Sequence, residues 1–437
     1  MPDRRVAITG LGVVTSAGVG IAPLWQAMLD ARSHVRTIAR FDPAKFPCHV
    51  GGQLADDFSA RNFVTKDYRK AVKVMARDIE IAVAAADLAF RDAGIATAGI
   101  GGDGASVPSD RLGCNIGAGL ICSDLDELGA AVNSAVTDGR FDIRKWGSGG
   151  MNNLTPLWLL KYLPNMLACH VTIIHQAKGP SNTITCGDAS GHLTVGEAAR
   201  YVARGAADVV IAGGAESKLN PMGLLRQCLL QRLCTTGNDD PPAACRPFDA
   251  AAAGTVIGEG GGLLVLEELQ HAQARGARIY AELVGFGAAC NGGGLDILKP
   301  THGNLGLAVA KALADAKLAP DDADAIVAHG TAVPGEDRAE VDAWRQALGA
   351  RADNVPATAV TGTIGSLFAG AGGVELAVAA MALHTGIVPA TANFQSPAAS
   401  HLNLAARPRS VKPRTVVTGA FGIGGQSAAC VLKRYEP

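Results

Sequence analysis

The sequence predicts an α/β protein in which strands alternate with helices along the whole chain. Short apolar runs bounded by glycine are each followed by longer segments that place apolar residues at three- and four-residue spacing. The composition agrees, because 54 glycines among 437 residues, 48% hydrophobic residues and only 18% charged residues suit elements packed closely in layers. A chain of this length holds two or three folding units or one large layered unit.

In the first half, a buried strand broken by glycines opens the chain, and a helix follows it. A long helix ends at Gly94, and the later helices and strands alternate with short connections. The predicted strands are 5–15, 111–116, 183–186 and 208–212. The predicted helices are 24–31, 68–92, 125–136, 157–175 and 189–204.

After a glycine-rich stretch, 254–262, the same alternation restarts. The predicted strands are 279–287, 325–328, 358–361, 415–420 and 427–432. The predicted helices are 305–316, 338–348 and 374–383. The repeated order fits either a duplication or the general alternation of an α/β chain.

Charge and cysteine content exclude several classes of function. A formal net charge of −1 without long runs of one sign offers no surface typical of nucleic-acid or membrane binding. The ten cysteines are scattered, with neither a CxxC pair nor a His/Cys cluster at metal spacing, which predicts reduced thiols and no metal site. Glycines interrupt the apolar stretch before residue 20, and no run of about 18 apolar residues is expected. We therefore expect a soluble, cytoplasmic protein.

Seven segments carry a family resemblance: 179–190, 207–216, 245–249, 258–268, 328–331, 370–375 and 421–425. In order and spacing they resemble the β-ketoacyl-acyl-carrier-protein synthase family of the thiolase superfamily. The resemblance implies a thiolase-like five-layered αβαβα fold of two similar halves, 1–255 and 256–437, and a tight dimer. It also implies a decarboxylating condensation that needs no cofactor, because its substrates travel on the phosphopantetheine of acyl carrier protein.

At the catalytic positions the sequence departs from this family. The nucleophilic cysteine corresponds to Asp188, the second catalytic histidine to Ser366, and a lysine five residues earlier to Thr361. The first histidine is present as His329, and Thr331 keeps one hydroxyl of the pantetheine site. The gating phenylalanine, which lies beside the oxyanion hole and Asp188, corresponds to Ile423. One of three catalytic side chains therefore remains.

A ketosynthase-like chain without its cysteine resembles the chain length factors of type II polyketide and aryl-polyene systems. These non-condensing subunits pair with an active ketosynthase and form the floor of its acyl tunnel. The matching segment places Leu120, Asp124 and Leu128 on one face if it is helical. The resemblance thus implies a heterodimer that acts with acyl carrier protein.

Other interpretations of the same residues remain open at the sequence level. Asp188 stands directly before a predicted helix and suits an N-cap, while its carboxylate is a weak nucleophile toward a thioester. Asp188 and His329 could instead act as an acid/base pair in a hydrolase or cyclase. Cys186, two residues upstream, could serve as the nucleophile of an atypical condensing enzyme, although a buried thiol there is the simpler interpretation.

Overall fold

A computed structural model of the chain describes residues 4–100, 104–291 and 304–436. The strands in these ranges are β1 (Val6–Thr15), β2 (Gly18–Val19), β3 (Arg36–Thr37), β4 (Val50–Gly51), β5 (Leu112–Gly117), β6 (Val136–Thr137), β7 (Arg140–Phe141), β8 (Ser181–Ile184), β9 (Val209–Ser217), β10 (Glu259–Glu268), β11 (Ala281–Cys290), β12 (Ala325–Ala328), β13 (Ala357–Ala359), β14 (Ile387–Val388), β15 (Arg409–Ser410), β16 (Thr415–Phe421) and β17 (Gln426–Lys433).

The α-helices are α1 (Ile21–Leu29), α2 (Arg77–Asp92), α3 (Leu125–Ser134), α4 (Ile143–Ser148), α5 (Trp158–Tyr162), α6 (Met166–His175), α7 (Ser190–Ala203), α8 (Pro221–Leu229), α9 (Leu269–Ala274), α10 (Leu305–Asp315), α11 (Pro334–Leu348), α12 (Thr361–Ile364) and α13 (Ala371–Thr385). Short 3-10 helices are Ala60–Asn62, Lys66–Val74, Ser109–Arg111, Gly150–Asn153, Gly187–Ala189, Pro241–Ala243, Pro320–Asp322, Gly349–Asp353 and Phe368–Gly370.

The main sheet has the strand order β13-β12-β16-β17-β11-β1-β10-β9-β5-β8, with β2 paired beside β1. Of the five strands from β1 to β8 in this order, β1, β9, β5 and β8 precede residue 255 and β10 follows it, while the other five all come from the second half of the chain. The two sets meet where Val6, Ala7 and Ile8 of β1 pair antiparallel with β11. In each set, the strands farthest from this junction are parallel, as β5 with β8 and β12 with β13.

Three hydrophobic clusters separate the layers. The largest contains Val195 and Val202 of α7 together with Leu376 and Leu383 of α13, and it lies between the two sets of strands. A second cluster packs α2 and α6 on the outer face of the first set, and a third packs α10 and α11 on the outer face of the second. The result is the five-layered αβαβα arrangement.

Strand β10 follows residue 255 in the chain but completes the sheet of the first half. It pairs antiparallel with β1 on one side and with β9 on the other. Strand pairing therefore places β10 with the first half, although a division at residues 255 and 256 assigns it to the second. The repeated order of strands and helices in the second half begins at β11.

The last four residues of the glycine-rich stretch, 259–262, are the start of β10. A Cβ on Gly262 would lie 2.6 Å from the backbone carbon of Gly373, and a Cβ on Gly373 would lie 1.8 Å from the carbonyl oxygen of Gly262. Helix α13 thus packs backbone to backbone on the strand, which only residues without side chains permit. Because glycine is unusual inside strands, the sequence pattern did not predict β10.

Two helices predicted as continuous are divided in the structure. The predicted helix 68–92 is a 3-10 segment, Lys66–Val74, followed by α2 from Arg77. The predicted helix 157–175 breaks into α5 and α6 around Pro164, because proline lacks the N–H that a continuous helix requires.

One expectation about apolar runs was wrong. Among the described residues, one helical run, Phe368–Thr385, is long and apolar enough to cross a membrane. It includes α13, and 83% of it is buried inside the protein. A helix that is apolar on all sides is expected at the centre of a layered fold, where both faces contact sheets.

Candidate functional site

Asp188 lies in a sharp turn between β8 and α7. The turn is the 3-10 segment Gly187–Ala189, in which Gly187 has a φ of 56°. The Ser190 hydroxyl donates to the carbonyl of Gly187 at 2.7 Å and accepts from the backbone N–H of Cys186 at 2.8 Å. These bonds hold the turn closed and leave the Asp188 side chain buried in the interior.

The N-cap interpretation of Asp188 was wrong. Helix α7 begins at Ser190, its N-cap residue is Ala189, and no side chain caps it. The Asp188 carboxylate instead faces His329, with 3.5 Å between Oδ1 and Nε2. Its partner is therefore a side chain from the other half of the molecule.

His329 follows β12 and is held by contacts on all sides. The carboxylate of Glu340 accepts the backbone N–H groups of His329 and Gly330, each at 2.8 Å. The hydroxyl of Thr361 donates to the carbonyl of His329 at 2.9 Å. On the imidazole, Nδ1 lies 2.7 Å from Oε1 of Glu375, so the ring stands between two carboxylates.

The charges of this buried cluster reinforce one another. Burial lowers the pKa of His329, but the carboxylates of Glu375 and Asp188 outweigh it and raise that pKa well above its ordinary value. Burial raises the pKa of Asp188, but the contact with His329 and the charges of His329 and Arg232 outweigh it and lower that pKa. The centre therefore contains an imidazolium with Asp188 ionised beside it.

His192 is a further member that sequence reasoning missed. Its Nε2 lies 3.7 Å from Oε2 of Glu375 and 3.2 Å from the hydroxyl of Thr418. Burial lowers the pKa of His192 to about 3, so this ring is neutral. The spacing of four residues from Asp188 at the start of a helix was the available signal, because such residues lie on one helix face.

Ser366 lies beside His329, as its correspondence to the second histidine predicts. Its backbone N–H donates to Val256 and its carbonyl accepts from Gly258, each at 2.8 Å. Among the described residues its buried hydroxyl has no hydrogen-bond partner. Ser366, Thr361, Thr331 and His329 line one cavity of about 10 Å³, which is room for at most about one water molecule.

The predicted pantetheine and gate residues lie at the rim of this centre. The Thr331 hydroxyl is buried and lies 3.4 Å from Oδ1 of Asp337. Ile423 is half-buried in the turn between β16 and β17. The preceding Gly422 lies against Asp188, since a Cβ there would be 3.3 Å from the Asp188 nitrogen. Their roles toward a substrate stay predictions.

The segment that carries the three predicted tunnel residues is helical only from Leu125 onward, so these residues do not share one helix face. Helix α3 begins only at Leu125, and Asp124 is its N-cap, accepting the N–H of Asp126 at 2.9 Å. Leu120 precedes the helix in extended chain and is 59% exposed, while its carbonyl accepts from Lys218 at 2.9 Å. Leu128 lies in α3 and is half-buried.

Cys186 and metal binding are the remaining candidates for chemistry. Cys186 is half-buried, and burial raises the pKa of its thiol, which disfavours the reactive thiolate. In the described parts of the chain, no group of three His, Cys, Asp or Glu residues could hold a metal ion.

The residues that form this buried centre, Asp188, His192, His329, Ser366 and Glu375, lie in two segments that match a known protein family. The β-ketoacyl synthase N-terminal domain matches residues 3–272, and the β-ketoacyl synthase C-terminal domain matches residues 280–395. The chain belongs to the β-ketoacyl synthase family. It is 32% identical to 3-oxoacyl-acyl-carrier-protein synthase 2 of Synechocystis sp., over 100% of this chain and 99% of that protein.

Proteins named for polyketide synthesis are among the relatives of this chain. Oxytetracycline polyketide putative β-ketoacyl synthase 1 of Streptomyces rimosus is 32% identical, over 98% of this chain and 97% of that protein. Among solved structures, the ishigamide ketosynthase/chain length factor has a TM-score of 0.84 at 25% identity, covering 99% of this chain and 100% of that one. A β-ketoacyl synthase from Burkholderia phymatum has a TM-score of 0.85 at 28% identity, with the same coverage.

Proposed function

We propose that this chain is a non-condensing ketosynthase-like subunit that pairs with an active ketosynthase, stabilises it and shapes the acyl tunnel that sets chain length. The observation that carries the proposal is Asp188 in the nucleophile turn, buried 3.5 Å from His329. A carboxylate there cannot store an acyl group as a thioester, and a mixed anhydride with it would be of high energy.

The rest of the centre also argues against condensation by this chain. The cavity beside His329 measures about 10 Å³ and cannot admit an acyl or malonyl group. Nε2 of His329, which would face a substrate, faces Asp188 instead. The negative charge of Asp188 would repel an enolate that formed there.

Pairing is supported by surfaces that this chain leaves uncovered. Strand β8 stands at one end of the main sheet with Ser181 and Asn182 exposed, so it offers a free edge. Ile143 and Leu159 are 69% and 55% exposed, in helices α4 and α5 of the same half. Apolar groups in this number suit burial against another subunit, and a solved structural relative is a ketosynthase/chain length factor.

In this proposal Leu120, Asp124 and Leu128 form the tunnel floor beneath the partner's active site. The substrates stay attached to acyl carrier protein, which binds to the partner subunit. Thr331 of this chain therefore has no pantetheine to bind. The complex would act in the cytoplasm, where the ten free cysteines of this chain remain reduced.

A second candidate is an enzyme of altered acyl chemistry, and the juxtaposition of Asp188 with His329 favours it. A carboxylate beside an imidazole is the arrangement of a general acid/base pair. Its catalysis would require the cavity to open, and it would act in the absence of a ketosynthase. A condensing enzyme that uses Cys186 is the third candidate, against which the raised pKa of that thiol counts.

The three candidates differ in where acyl groups become attached. The chain is purified alone and with a ketosynthase that has its cysteine and both histidines, and each is incubated with acyl- and malonyl-loaded acyl carrier protein. Mass spectrometry should find acyl adducts only on the partner and product only with the complex. Acylation of Cys186 would contradict the proposal and support the third candidate. Product formation by this chain alone that disappears in Asp188→Asn would contradict it and support the second.

Chain length supplies the second test. Replacement of Leu128 by Phe enlarges a side chain in the tunnel floor, so the complex should release a shorter product, detected by mass spectrometry. Leu307→Phe, at an exposed position on α10 of the other half, is the matched control and should leave the product unchanged. An intact Leu128→Phe complex with unchanged product length would refute the tunnel-floor assignment.

A further inference from the structure

The segment 119–123 lies between β5 and α3 and carries Leu120, the first of the proposed tunnel residues. The Lys218 ammonium donates a hydrogen bond to the carbonyl of Leu120 at 2.9 Å. Within the part of the chain that the structure describes, the only other hydrogen bond to the backbone of this segment is a 4.0 Å contact from the thiol of Cys122. The position of the segment therefore depends on Lys218 more than on bonds within its own backbone.

Lys218 is buried and remains charged. Its side chain is 10% exposed and pairs with Glu216, whose side chain is 2% exposed. Burial lowers the pKa of Lys218, but the charges of Glu216 and Asp78 outweigh it and raise that pKa. The bond to the carbonyl of Leu120 is therefore charge-assisted, which makes it stronger than a bond between neutral groups. A buried ammonium that leaves its partners is costly, so Lys218 has few alternative positions.

Glu216 connects the same segment to the buried centre. A Cβ on Gly119 would lie 1.7 Å from Oε1 of Glu216, so the carboxylate lies directly against the backbone of the segment. Its other oxygen, Oε2, accepts the N–H of Ala369 at 2.8 Å. Ala369 comes three residues after Ser366, which lines the closed cavity of the centre. The pair of Glu216 and Lys218 therefore fixes the segment relative to the centre.

Resting on the proposed function, we propose that Lys218 is a positioning residue, which holds the tunnel floor at Leu120 in one place and so keeps the product to one chain length. The side chain of Leu120 is 59% exposed and takes no part in this bond, so it can face the partner. Lys218 acts on it through the backbone and does not touch the acyl chain. A floor that moves would admit chains of several lengths, whereas a fixed floor stops growth at one.

The double variant Glu216→Gln, Lys218→Met removes both charges of the pair, so neither stays buried without its partner. The glutamine amide oxygen can still accept the N–H of Ala369. The half-buried thiol of Cys122 reports the motion of the segment in the chain alone. Its alkylation by iodoacetamide, measured by mass spectrometry of peptides, should be at least about tenfold faster in the double variant, because a hydrogen bond to a charged group is lost.

Asp87→Asn, Arg91→Met removes a partly buried ion pair on α2 and is the matched control, which should leave the alkylation of Cys122 unchanged. The exposed thiol of Cys290 is the internal reference and should react equally in all three proteins. Equal alkylation of Cys122 in the folded double variant and the parent would overturn the positioning role. If the double variant does not fold, Lys218→Gln, which removes the charge but keeps a polar side chain, replaces it with the same expectation.

Product length in the complex with a ketosynthase is the second measurement. The single main product of the parent should become a mixture of lengths in the double variant, while affinity for the ketosynthase stays as in the control. A merely structural role would change melting temperature and affinity but not product length. An unchanged product from an intact complex would overturn this inference alone. Failure of any ketosynthase to associate with the parent would overturn the proposed function, and with it the link from Lys218 to chain length.

Discussion

At the residue scale, the buried centre depends on which side chains carry charge. His329 is charged between Asp188 and Glu375, while His192 on the far side of Glu375 stays neutral. If His192 were charged as well, a second imidazolium would be buried without its own carboxylate partner, because Glu375 already pairs with His329. Burying an unpaired charge is unfavourable. The pKa of His329 is therefore raised and the pKa of His192 is lowered.

His192 should make the protein sensitive to acid. Its pKa falls from about 6.5 in the unfolded chain to about 3 in the fold. The unfolded chain thus takes up the proton first, so this stability is present above about pH 6.5 and is lost as pH falls toward 3. His192→Gln removes the titration and should reduce the loss of unfolding free energy between about pH 7.5 and about pH 4.5 by ~2–3 kcal/mol.

Urea unfolding of both proteins at the two pH values measures this difference. His384→Gln, at an exposed position on α13, is the control and should follow the parent protein. If the free energy of unfolding falls by the same amount between the two pH values in His192→Gln and in the parent protein, His192 already accepts a proton in the folded state.

At the element scale, the close contact between α13 and β10 bears on the site. Gly262 and Gly373 meet without side chains, and Glu375 follows on the same helix two residues later. The close approach therefore fixes the carboxylate that contacts His329. A helix held away from β10 by even one methyl group would move Glu375 with it.

Gly373→Ala should therefore destabilise the fold. Its Cβ would lie 1.8 Å from the carbonyl oxygen of Gly262, and overpacking of this kind costs about 1–3 kcal/mol or more. Gly129→Ala is the matched control, because it is also helical but its Cβ would meet nothing within 4 Å. That change should stabilise by about 0.5–1 kcal/mol. Thermal and urea unfolding measure both, and equal effects would contradict the close-packing explanation.

At the scale of the whole molecule, the apolar surface of the first half is expected to be an interface. The double variant Ile143→Glu, Leu159→Glu places two charges on side chains that are exposed in the single chain. The melting temperature of the isolated chain should change little, whereas affinity for the ketosynthase should fall about 100-fold or more, since each buried apolar anchor contributes about 1–3 kcal/mol.

Leu307→Glu, at an exposed position on α10, is the control that tests whether a new charge anywhere on the surface weakens binding. Binding is measured by isothermal titration or analytical ultracentrifugation. If the double variant binds as tightly as the parent chain, this surface does not face the ketosynthase.

The alternation of strands and helices was sufficient to predict the αβ class, and the ordered motifs predicted the layered fold. The motifs also predicted that Asp188, His329 and Ser366 converge, although they come from both halves of the chain. The sequence could not decide whether the Asp188 carboxylate caps α7 or faces His329, because an aspartate before a helix is locally favoured as a cap and only tertiary packing decides otherwise. Strand β10 was not predicted, because its glycines are there to let α13 pack against the strand, and a local sequence pattern does not reveal such a tertiary contact.

The position of β1 in the sheet has a consequence for synthesis of the protein. Apart from the two-residue β2, its neighbours are β10 and β11, which begin at Glu259 and Ala281. During translation, β1 therefore leaves the ribosome about 250 residues before it can pair, an interval of roughly 15–50 s at ordinary elongation rates. Throughout that time an apolar strand is exposed on the nascent chain, so we expect this protein to need a chaperone that holds its first residues until the later strands emerge.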